Sequence, residues 1–240
     1  MGKISRFIDK YFSNVKWTCS VCGKEIFNED YFCEKCFSSL PFNDQAKCLH
    51  CGRKTHFIQN YCTSCKEAMT DLEIARSVFC YEKPISEIIK SLKYNNNRYY
   101  AEVLGKCLFD EYSKGELSAD IITFVPMTEV AKSKRGYNQS ELLAKNLCDR
   151  IGLELIKVVE KKKDTESQAN LDKFQRMMNL RNAFKVIDKK MVQNKTILLI
   201  DDVLTTGATS QAIASTLKKA GASKVKLLTV ASVPIDLTFD

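Results

Sequence analysis

Long apolar runs are missing from this chain of 240 residues. No stretch approaches the ~20 consecutive apolar residues that a membrane-crossing helix needs, so we expect no membrane insertion. The first residues, MGKISRFIDKYF, also lack an apolar core of signal-peptide length, and their pattern predicts a short amphipathic lead-in helix. Together these absences predict a cytoplasmic protein.

Histidine is also scarce, with two copies, whereas cysteine is abundant, with eleven. Eight cysteines form the pattern C-x2-C-x10-C-x2-C twice: Cys19, Cys22, Cys33 and Cys36, then Cys48, Cys51, Cys62 and Cys65. A C-x2-C turn places two thiolates on one metal ion, and two such turns complete a tetrahedron. Because sulfur fills every ligand position, His50 and His56 are not needed, and the pattern predicts two structural zinc ions.

The pairing of these ligands is open at the level of sequence. Each repeat can close on its own metal ion, which favours two sequential sites, and interleaved pairing of the repeats is the alternative. In a chain without a signal peptide, so many cysteines favour metal over disulfides in a reducing compartment. Gly23 and Gly52 follow the second cysteine of each repeat, where a tight knuckle favours a positive φ.

The formal net charge of +8 suits an anionic partner without identifying it. Two zinc sites with four thiolates each would carry about −2 apiece, which would leave roughly +4. In the second repeat, the cations Lys47, Arg53 and Lys54 with the rings of Phe57 and Tyr61 suit stacking on single-stranded nucleic acid. The same residues also suit a solvated face over a small core, so both interpretations stay open.

Beyond residue 68, apolar strands alternate with amphipathic helices, which indicates an α/β fold with a parallel sheet. The predicted strands cover residues 71–81, 121–125, 154–159, 183–187, 196–200 and 225–230, and the predicted helices cover 84–94, 99–112, 140–151 and 210–220. The chain therefore divides into a predicted double zinc ribbon over residues 1–68, which includes the lead-in helix, and a predicted sheet domain over residues 69–240.

The most specific stretch is residues 195–210, KTILLIDDVLTTGATS. Its apolar start predicts a strand buried on both faces, followed by Asp201 and Asp202, a loop of small residues and a helix. The backbone N–H groups of such a loop and the positive end of the helix dipole favour a phosphate. Gly207 permits close approach and a positive φ, and solvent-facing carboxylates at the strand end can accept hydrogen bonds from vicinal sugar hydroxyls.

A strand, a basic loop and a helix follow one another in the same order at residues 121–151. The loop, MTEVAKSKRGYNQ, carries Lys132, Lys134 and Arg135, and Gly136 permits an unusual backbone conformation. Because the carboxyl ends of parallel strands form the usual ligand crevice, we expect this loop on a neighbouring strand to provide a second anion site, suited to pyrophosphate.

The segment at residues 161–180 is polar and charged over most of its length. About 20 such residues inside a compact domain are either functional or disordered. We interpret the segment as a mobile lid over the site, carrying Thr165, Gln168, Arg176 and Asn179.

The run ILLIDDVLTTGAT resembles the signature of type I phosphoribosyltransferases, which bind 5-phosphoribosyl-1-pyrophosphate (PRPP). The resemblance implies that Asp201 and Asp202 hold the ribose 2′ and 3′ hydroxyls. It also implies that the 5′-phosphate is held by Thr205, Thr206, Gly207, Ala208 and Thr209. The predicted PRPP site is completed by Lys134, Arg135 and Gly136 at the pyrophosphate and by Mg²⁺, with Asp201, Asp202 and Arg135 as its predicted catalytic residues.

The order of parts over nearly the whole chain resembles the ComF family (ComFC type). The segments RGYNQ, NLRNAF and DDVLTTGAT carry the resemblance, behind the paired zinc knuckles. The family is associated with natural competence and with incoming single-stranded DNA, which implies single-stranded DNA and a competence helicase as partners. One departure is the run of lysines at residues 161–163, where relatives tend to carry arginines.

Two functions remain open at this point. In the first, an enzyme releases pyrophosphate from Mg²⁺–PRPP as an unknown acceptor attacks C1′ through an oxocarbenium-like state. The complete pair of anion loops favours this function. In the second, a non-catalytic adaptor senses PRPP and contacts single-stranded DNA or a helicase through its zinc ribbons. The lack of a recognisable nucleobase pocket in the sequence favours the adaptor.

Overall fold

A computed structural model describes residues 17–26, 31–67, 71–162, 180 and 182–235 of the chain. The predicted lead-in helix lies outside these residues, as do the lid residues Thr165, Gln168, Arg176 and Asn179. Two compact units are formed, Met1–Leu40 and Pro41–Asp240. The second cysteine repeat thus belongs to the same compact unit as the sheet, while the predicted domain boundary after residue 68 stays a prediction.

The first unit is built around the first cysteine repeat. Strand β1 (Trp17–Thr18) pairs antiparallel with β2 (Glu25–Ile26), and helix α1 (Glu34–Ser38) follows. At the knuckle between the strands, the N–H of Gly23 donates to the carbonyl of Cys19 at 2.9 Å, and Gly23 has a φ of +71°. The positive φ predicted for this glycine is therefore observed.

The second unit contains the parallel sheet that the sequence predicts, formed by four of the six predicted strands. Its strands are β3 (Ile74–Cys80), β4 (Ile121–Phe124), β7 (Thr196–Leu204) and β8 (Lys224–Ser232), in the order β3-β8-β7-β4. All three pairings are parallel, and the strands are almost entirely buried. The neighbouring pair β4 and β7 brings the two predicted anion regions to one edge of the sheet.

The helices of this unit include four that lie within two residues of their predicted bounds and three that were not predicted as helices. They are α2 (Thr63–Glu67), α3 (Ile85–Tyr94), α4 (Tyr99–Tyr112), α5 (Glu129–Arg135), α6 (Gln139–Ile151), α7 (Lys189–Val192) and α8 (Ala208–Lys219). In α3, the predicted face of Ile85, Ile88, Ile89 and Leu92 is buried. Within the residues that the structure describes, no helix combines the length and the apolar character needed to cross a bilayer.

The strand predicted over residues 154–159 is wrong in its extent. Leu155 makes only an isolated bridge with Ile122, and the regular strand β5 (Val159–Lys161) starts where the predicted one ends. Strand β5 pairs antiparallel with β6 (Phe184–Val186), the strand predicted over residues 183–187. The segment crosses from the edge of the parallel sheet to a second small sheet, so no single partner strand holds its whole length.

Apolar side chains of β7 lie on both faces of the sheet. Ile197 and Leu199 belong to a buried cluster that includes Ile213 and Leu217 of α8. Strand residues alternate between faces, so Leu198 points away from this cluster. Helix α8 is thereby fixed against the sheet, which in turn fixes the loop that connects β7 to α8.

Candidate functional site

Strand β7 carries the acidic pair within its length. The predicted strand over residues 196–200 ends too early, because β7 continues to Leu204 and stays paired with β8, with Asp201 opposite Thr229. Strand extent depends on the partner strand, and β8 is equally long. The carboxylates of Asp201 and Asp202 are therefore held by regular sheet backbone rather than by a loop.

Asp202 is buried, with 4% of its surface exposed, which corrects the expectation of a solvent-facing carboxylate. Its Oδ2 lies 2.8 Å from the Nζ of Lys93, a largely buried residue near the end of α3. Burial alone would lower the pKa of Lys93, but the nearby carboxylates, Asp202 above all, raise it above the ordinary value. The two side chains form an ion pair in which each compensates the other's loss of water.

Asp201 has different partners. Its Oδ1 accepts a hydrogen bond from the Ser140 hydroxyl at 2.8 Å and from the backbone N–H of Asp202 at 2.9 Å. Burial raises the pKa of Asp201 to about 7, the adjacent Asp202 adds to the rise, and Ser140 and Lys93 act against it. This carboxyl can therefore exchange a proton near neutral pH.

The loop after β7 encloses a small cavity of about 40 Å³ at the start of α8. Gly207 has a φ of +81°, and a Cβ there would meet the nearest side chain, Leu204, only at 3.5 Å. The conformation rather than the space therefore requires glycine. Polar and small residues around this cavity are Asp201, Thr205, Gly207, Ala208, Thr209 and Ser210. The structure thus brings together most of the predicted phosphate residues, and Ser210 joins them.

The basic region after β4 is a helix, which corrects the prediction of a loop over residues 127–139. Helix α5 is capped by the Thr128 hydroxyl, which accepts from the N–H of Ala131 at 3.2 Å, and it ends at Gly136 with a φ of +82°. Lys134 and Arg135 lie in its last turn, where the helix dipole favours cations. The cap and the glycine were visible in the sequence as a start signal and a stop signal, but their spacing leaves only seven helical residues.

The RGYNQ segment connects the basic helix to its surroundings. The Tyr137 hydroxyl donates to the carbonyl of Leu92 in α3. The Asn138 side chain accepts from the N–H of Ser140 at 3.0 Å, which caps α6, and donates to the carbonyl of Val125 at 2.9 Å, just after β4. These contacts fix α5 between α3, β4 and α6.

A cavity of about 600 Å³ lies beside the basic helix. Its polar lining includes Lys93, Asn96, Arg98, Lys134 and Arg135, together with the rings of Tyr94 and Tyr137. Sequence reasoning missed the contribution of the turn between α3 and α4, because the asparagines there predict only a helix break. The cations on both sides of that break were the available signal.

Besides Lys93, two cations that line this cavity have identified partners, and so does Lys132 on the same helix as Arg135. The guanidinium of Arg135 lies 5.4 Å from the centre of the Tyr94 ring and donates to Oε1 of Gln139 at 2.7 Å. The guanidinium of Arg98 lies 4.7 Å from the Tyr137 ring, and Lys132 pairs with Glu141. The rings and the amide hold the guanidinium groups in place without neutralising their charge.

Lys93 connects the two halves of the site. It lines the larger cavity and also contacts the acidic pair through Asp202. The carboxyl ends of the strands therefore carry a small-residue loop, two carboxylates and a cation-lined cavity side by side. This is the place where open α/β sheets bind ligands.

The cysteines form two sequential sets. The ligand atoms of each set lie within 4.8 Å of one another: Cys19, Cys22, Cys33 and Cys36, and Cys48, Cys51, Cys62 and Cys65. The alternative of interleaved pairing is therefore wrong. Tetrahedral zinc with Zn–S bonds of ~2.3 Å requires sulfur atoms about 3.8 Å apart, and the Cys22–Cys33 and Cys51–Cys62 pairs lie at 3.8 Å. Both sets fit zinc.

Comparisons with known proteins agree with this arrangement. Residues 15–75 match the family model described as a double zinc ribbon domain, and residues 125–239 match the model described as a phosphoribosyl transferase domain. Competence protein F of Haemophilus influenzae is 28% identical over 202 residues, which cover 81% of this chain and 86% of that protein. The chain thus matches a double zinc ribbon and a phosphoribosyl transferase domain, and its relatives include proteins named for competence.

A second relative supports the same placement. DNA utilization protein YhgH of Salmonella typhi is 29% identical to this chain over 215 residues, which cover 87% of each protein. Among solved structures, a glutamine PRPP amidotransferase from B. subtilis, complexed with ADP and GMP, is 22% identical over 54% of this chain and 25% of that chain. Its TM-score is 0.39, so this likeness adds nothing to the assignment.

Proposed function

We propose that this chain binds PRPP at the carboxyl edge of its sheet and transfers the ribose phosphate group, with release of pyrophosphate, in the cytoplasm. The observation that carries the proposal is the small-residue loop beside an acidic pair, next to a cation-lined cavity. PRPP presents a 5′-phosphate, two vicinal hydroxyls and a pyrophosphate, and each of these groups has a matching region.

The 5′-phosphate binds the loop at residues 205–209. Backbone N–H groups at the start of α8 and the Thr205, Thr206 and Thr209 hydroxyls donate to it, because a helix N-terminus of this kind favours anions. Asp201 and Asp202 accept hydrogen bonds from the ribose hydroxyls. Since Lys93 already holds one oxygen of Asp202, it turns toward the larger cavity when ribose arrives.

The pyrophosphate binds in the larger cavity. Lys134, Arg135 and the backbone at Gly136 lie on its wall, and Arg98 lines it as well. The oxygen atoms of Asp201 and Asp202 are ligands that suit Mg²⁺, which would help to neutralise the leaving group when bound with PRPP. Arg135 contributes most when negative charge develops on the pyrophosphate.

In the reaction, the bond between C1′ and the pyrophosphate oxygen breaks, and the electron pair leaves with pyrophosphate. A nucleophile on the acceptor then forms the new bond to C1′, which has oxocarbenium character in between. The carboxylates of Asp201 and Asp202 lie near the positive charge of the sugar and stabilise it. The described residues do not identify the chemical class of the acceptor.

The competence link comes from the relatives. One is named for competence and another for DNA utilization, so we propose that the reaction serves the handling of incoming single-stranded DNA. Pyrophosphate release from Mg²⁺–PRPP is the direct test, with purine bases, amines, single-stranded DNA and cell extract as acceptors. Tight PRPP binding without any release overturns the transferase, and absence of PRPP binding overturns the site itself.

A non-catalytic adaptor is the second candidate, and one surface favours it. Phe57, Ile58 and Tyr61 of the second repeat are all more than half exposed, and the Tyr61 ring lies 5.1 Å from that of His50. Exposed rings suit the bases of single-stranded DNA or an apolar patch on a helicase, whereas Arg53, which the sequence predicts on this surface, is buried. Loss of oligonucleotide binding in Phe57→Ala and Tyr61→Ala, with PRPP binding unchanged, would support the adaptor function.

A further inference from the structure

Arg53 joins the second cysteine set to the phosphate loop. The residue is 8% exposed. On one side, its Nε lies 3.5 Å from the Sγ of Cys51, and its Nη2 lies 4.0 Å from the Sγ of Cys62. On the other side, its Nη1 donates a 3.1 Å hydrogen bond to the backbone carbonyl of Thr205, the first residue after β7. Arg53 thus contacts a residue that lies 152 positions further along the chain.

Backbone contacts of the second cysteine repeat fix the position of Arg53. Its carbonyl accepts from the N–H of Cys48 at 3.0 Å, which closes the knuckle. The preceding Gly52 has a φ of +69°, and a Cβ there would lie 2.6 Å from the Ala75 carbonyl of β3. The knuckle therefore lies directly on the sheet edge, and Asn43 holds it there by donating to the Gly52 carbonyl at 2.6 Å.

The chemistry of the contact requires a guanidinium. Four thiolates around zinc leave about two negative charges, which attract a cation. Arginine presents its donors in a rigid planar fork, so one edge can meet thiolates while another meets a carbonyl. A lysine ammonium is a single point and cannot span both groups.

The contact also orients the loop. A trans peptide points its N–H opposite to its C=O. Because the Thr205 carbonyl is held toward Arg53, the N–H of Thr206 is directed away from Arg53. Arg53 thereby sets the first amide of the loop that leads to Gly207 and α8.

We propose that Arg53 is a positioning residue for the phosphate loop and that it makes the second cysteine set part of the ligand site. The proposal rests on the proposed role of the loop in binding the 5′-phosphate. The first repeat offers a matched comparison, because Lys24 follows Cys22 and Gly23 as Arg53 follows Cys51 and Gly52, and Lys24 is exposed.

The test compares Arg53→Met and Arg53→Lys with Lys24→Met in the full chain. Zinc content, thermal stability, affinity for ribose 5-phosphate, affinity for pyrophosphate, and amide exchange of residues 204–210 are measured for each. We expect both Arg53 variants to retain two zinc ions and to bind ribose 5-phosphate about tenfold more weakly, the scale of one hydrogen bond with a charged donor. Pyrophosphate affinity should be unchanged, since that ligand uses the other cavity.

Amide exchange makes the test independent of ligand binding. Exchange over residues 204–210 should become about tenfold faster in both Arg53 variants, because Arg53 holds the Thr205 carbonyl at the start of this loop. It should not change in Lys24→Met, because Lys24 belongs to the other compact unit. If the parent protein binds neither ribose 5-phosphate nor pyrophosphate, the proposed function is wrong. The amide exchange rates of the variants still test whether Arg53 positions the loop. Exchange in both Arg53 variants equal to that of the parent overturns the proposal, as does an equal loss of both ligands.

Discussion

At the scale of residues, two adjacent carboxylates of β7 have different surroundings. Asp202 has an ammonium at 2.8 Å, whereas Asp201 has a hydroxyl and an amide N–H. The sequence shows only that the two are neighbours. The difference arises from Lys93 and Ser140, which reach them from other helices and carry no motif of their own.

The first prediction concerns the ion pair of Asp202. Asp202→Asn should weaken Mg²⁺–PRPP binding by about 1–3 kcal/mol, the scale of a lost charged hydrogen-bond partner. It should also lower the melting temperature by several degrees, because Lys93 loses its buried counter-ion. Calorimetry with PRPP and a thermal melt give the two values.

The matched control for this change is Asp110→Asn. Asp110 pairs with Lys106 one helical turn earlier on an exposed face, where such a pair contributes little. We expect neither PRPP affinity nor melting temperature to change in this variant. A PRPP affinity of Asp202→Asn equal to that of the parent would remove Asp202 from the ribose site.

The second prediction concerns pH. The pKa of Asp201 is raised to about 7 in the folded chain, against about 4 when unfolded. Between pH 4 and pH 7, the Asp201 carboxyl is therefore protonated in the folded state and ionised in the unfolded state. Its contribution to the free energy of unfolding is fully present below pH 4 and is lost as the pH rises through 7. Between about pH 4.5 and pH 7.5, the parent should lose at least ~1 kcal/mol relative to Asp201→Asn. Urea unfolding of both proteins at the two pH values measures this difference, and parallel pH profiles would contradict it.

At the scale of elements, apolar spacing predicts most of what forms. Helix α4 has its predicted bounds, and α3 differs by one residue, because buried faces such as Ile85 to Leu92 decide both. Elements set by partners are predicted less well: β7 is longer than its apolar run because β8 pairs with it to the end. Helix α5 was predicted as a loop because it has no buried apolar face. A cap, a C-terminal glycine and the contacts of RGYNQ stabilise it instead.

The third prediction concerns the charge at the end of α5. Arg135→Ala should lower kcat for pyrophosphate release by on the order of 10²-fold, because its charge is most useful when the leaving group becomes negative. PRPP binding should weaken by about tenfold at most, since Lys134 and Arg98 remain. Single-turnover kinetics and calorimetry separate the two effects.

Lys132→Ala is the control from the same helix. Lys132 pairs with Glu141 rather than lining the cavity, so pyrophosphate release should change by less than about threefold. If the two variants lowered kcat equally, the total positive charge of α5, and not a specific contact of Arg135, would explain the effect.

At the scale of the whole molecule, the sequence predicts two zinc knuckles and one sheet domain, and the family models confirm both kinds of domain. It does not predict that the second repeat shares a compact unit with the sheet. The repeats look alike in spacing, and the distinction lies in contacts such as that of Arg76, which donates to the Leu49 carbonyl at 2.8 Å.

The fourth prediction follows from these contacts. A chain that begins at Pro41 should fold and retain one zinc ion, because the second unit keeps all of its own contacts. A chain that begins at residue 69 loses the second repeat and leaves Arg76 of β3, 6% exposed here, without the Leu49 carbonyl. It should melt at least about 5 °C lower than the first truncation, since buried polar groups left without partners are costly. Thermal melts of the two truncations give the comparison, and equal melting temperatures would contradict it.

The two knuckle glycines have unequal freedom to change. Both have a positive φ, but a Cβ at Gly23 meets no described atom within 4 Å, whereas at Gly52 it meets the backbone of β3. Asparagine tolerates the left-handed conformation, so substitution by asparagine is open to Gly23 and closed to Gly52. Over generations, position 23 can therefore alternate between glycine and asparagine, whereas position 52 stays glycine for as long as β3 passes beneath it.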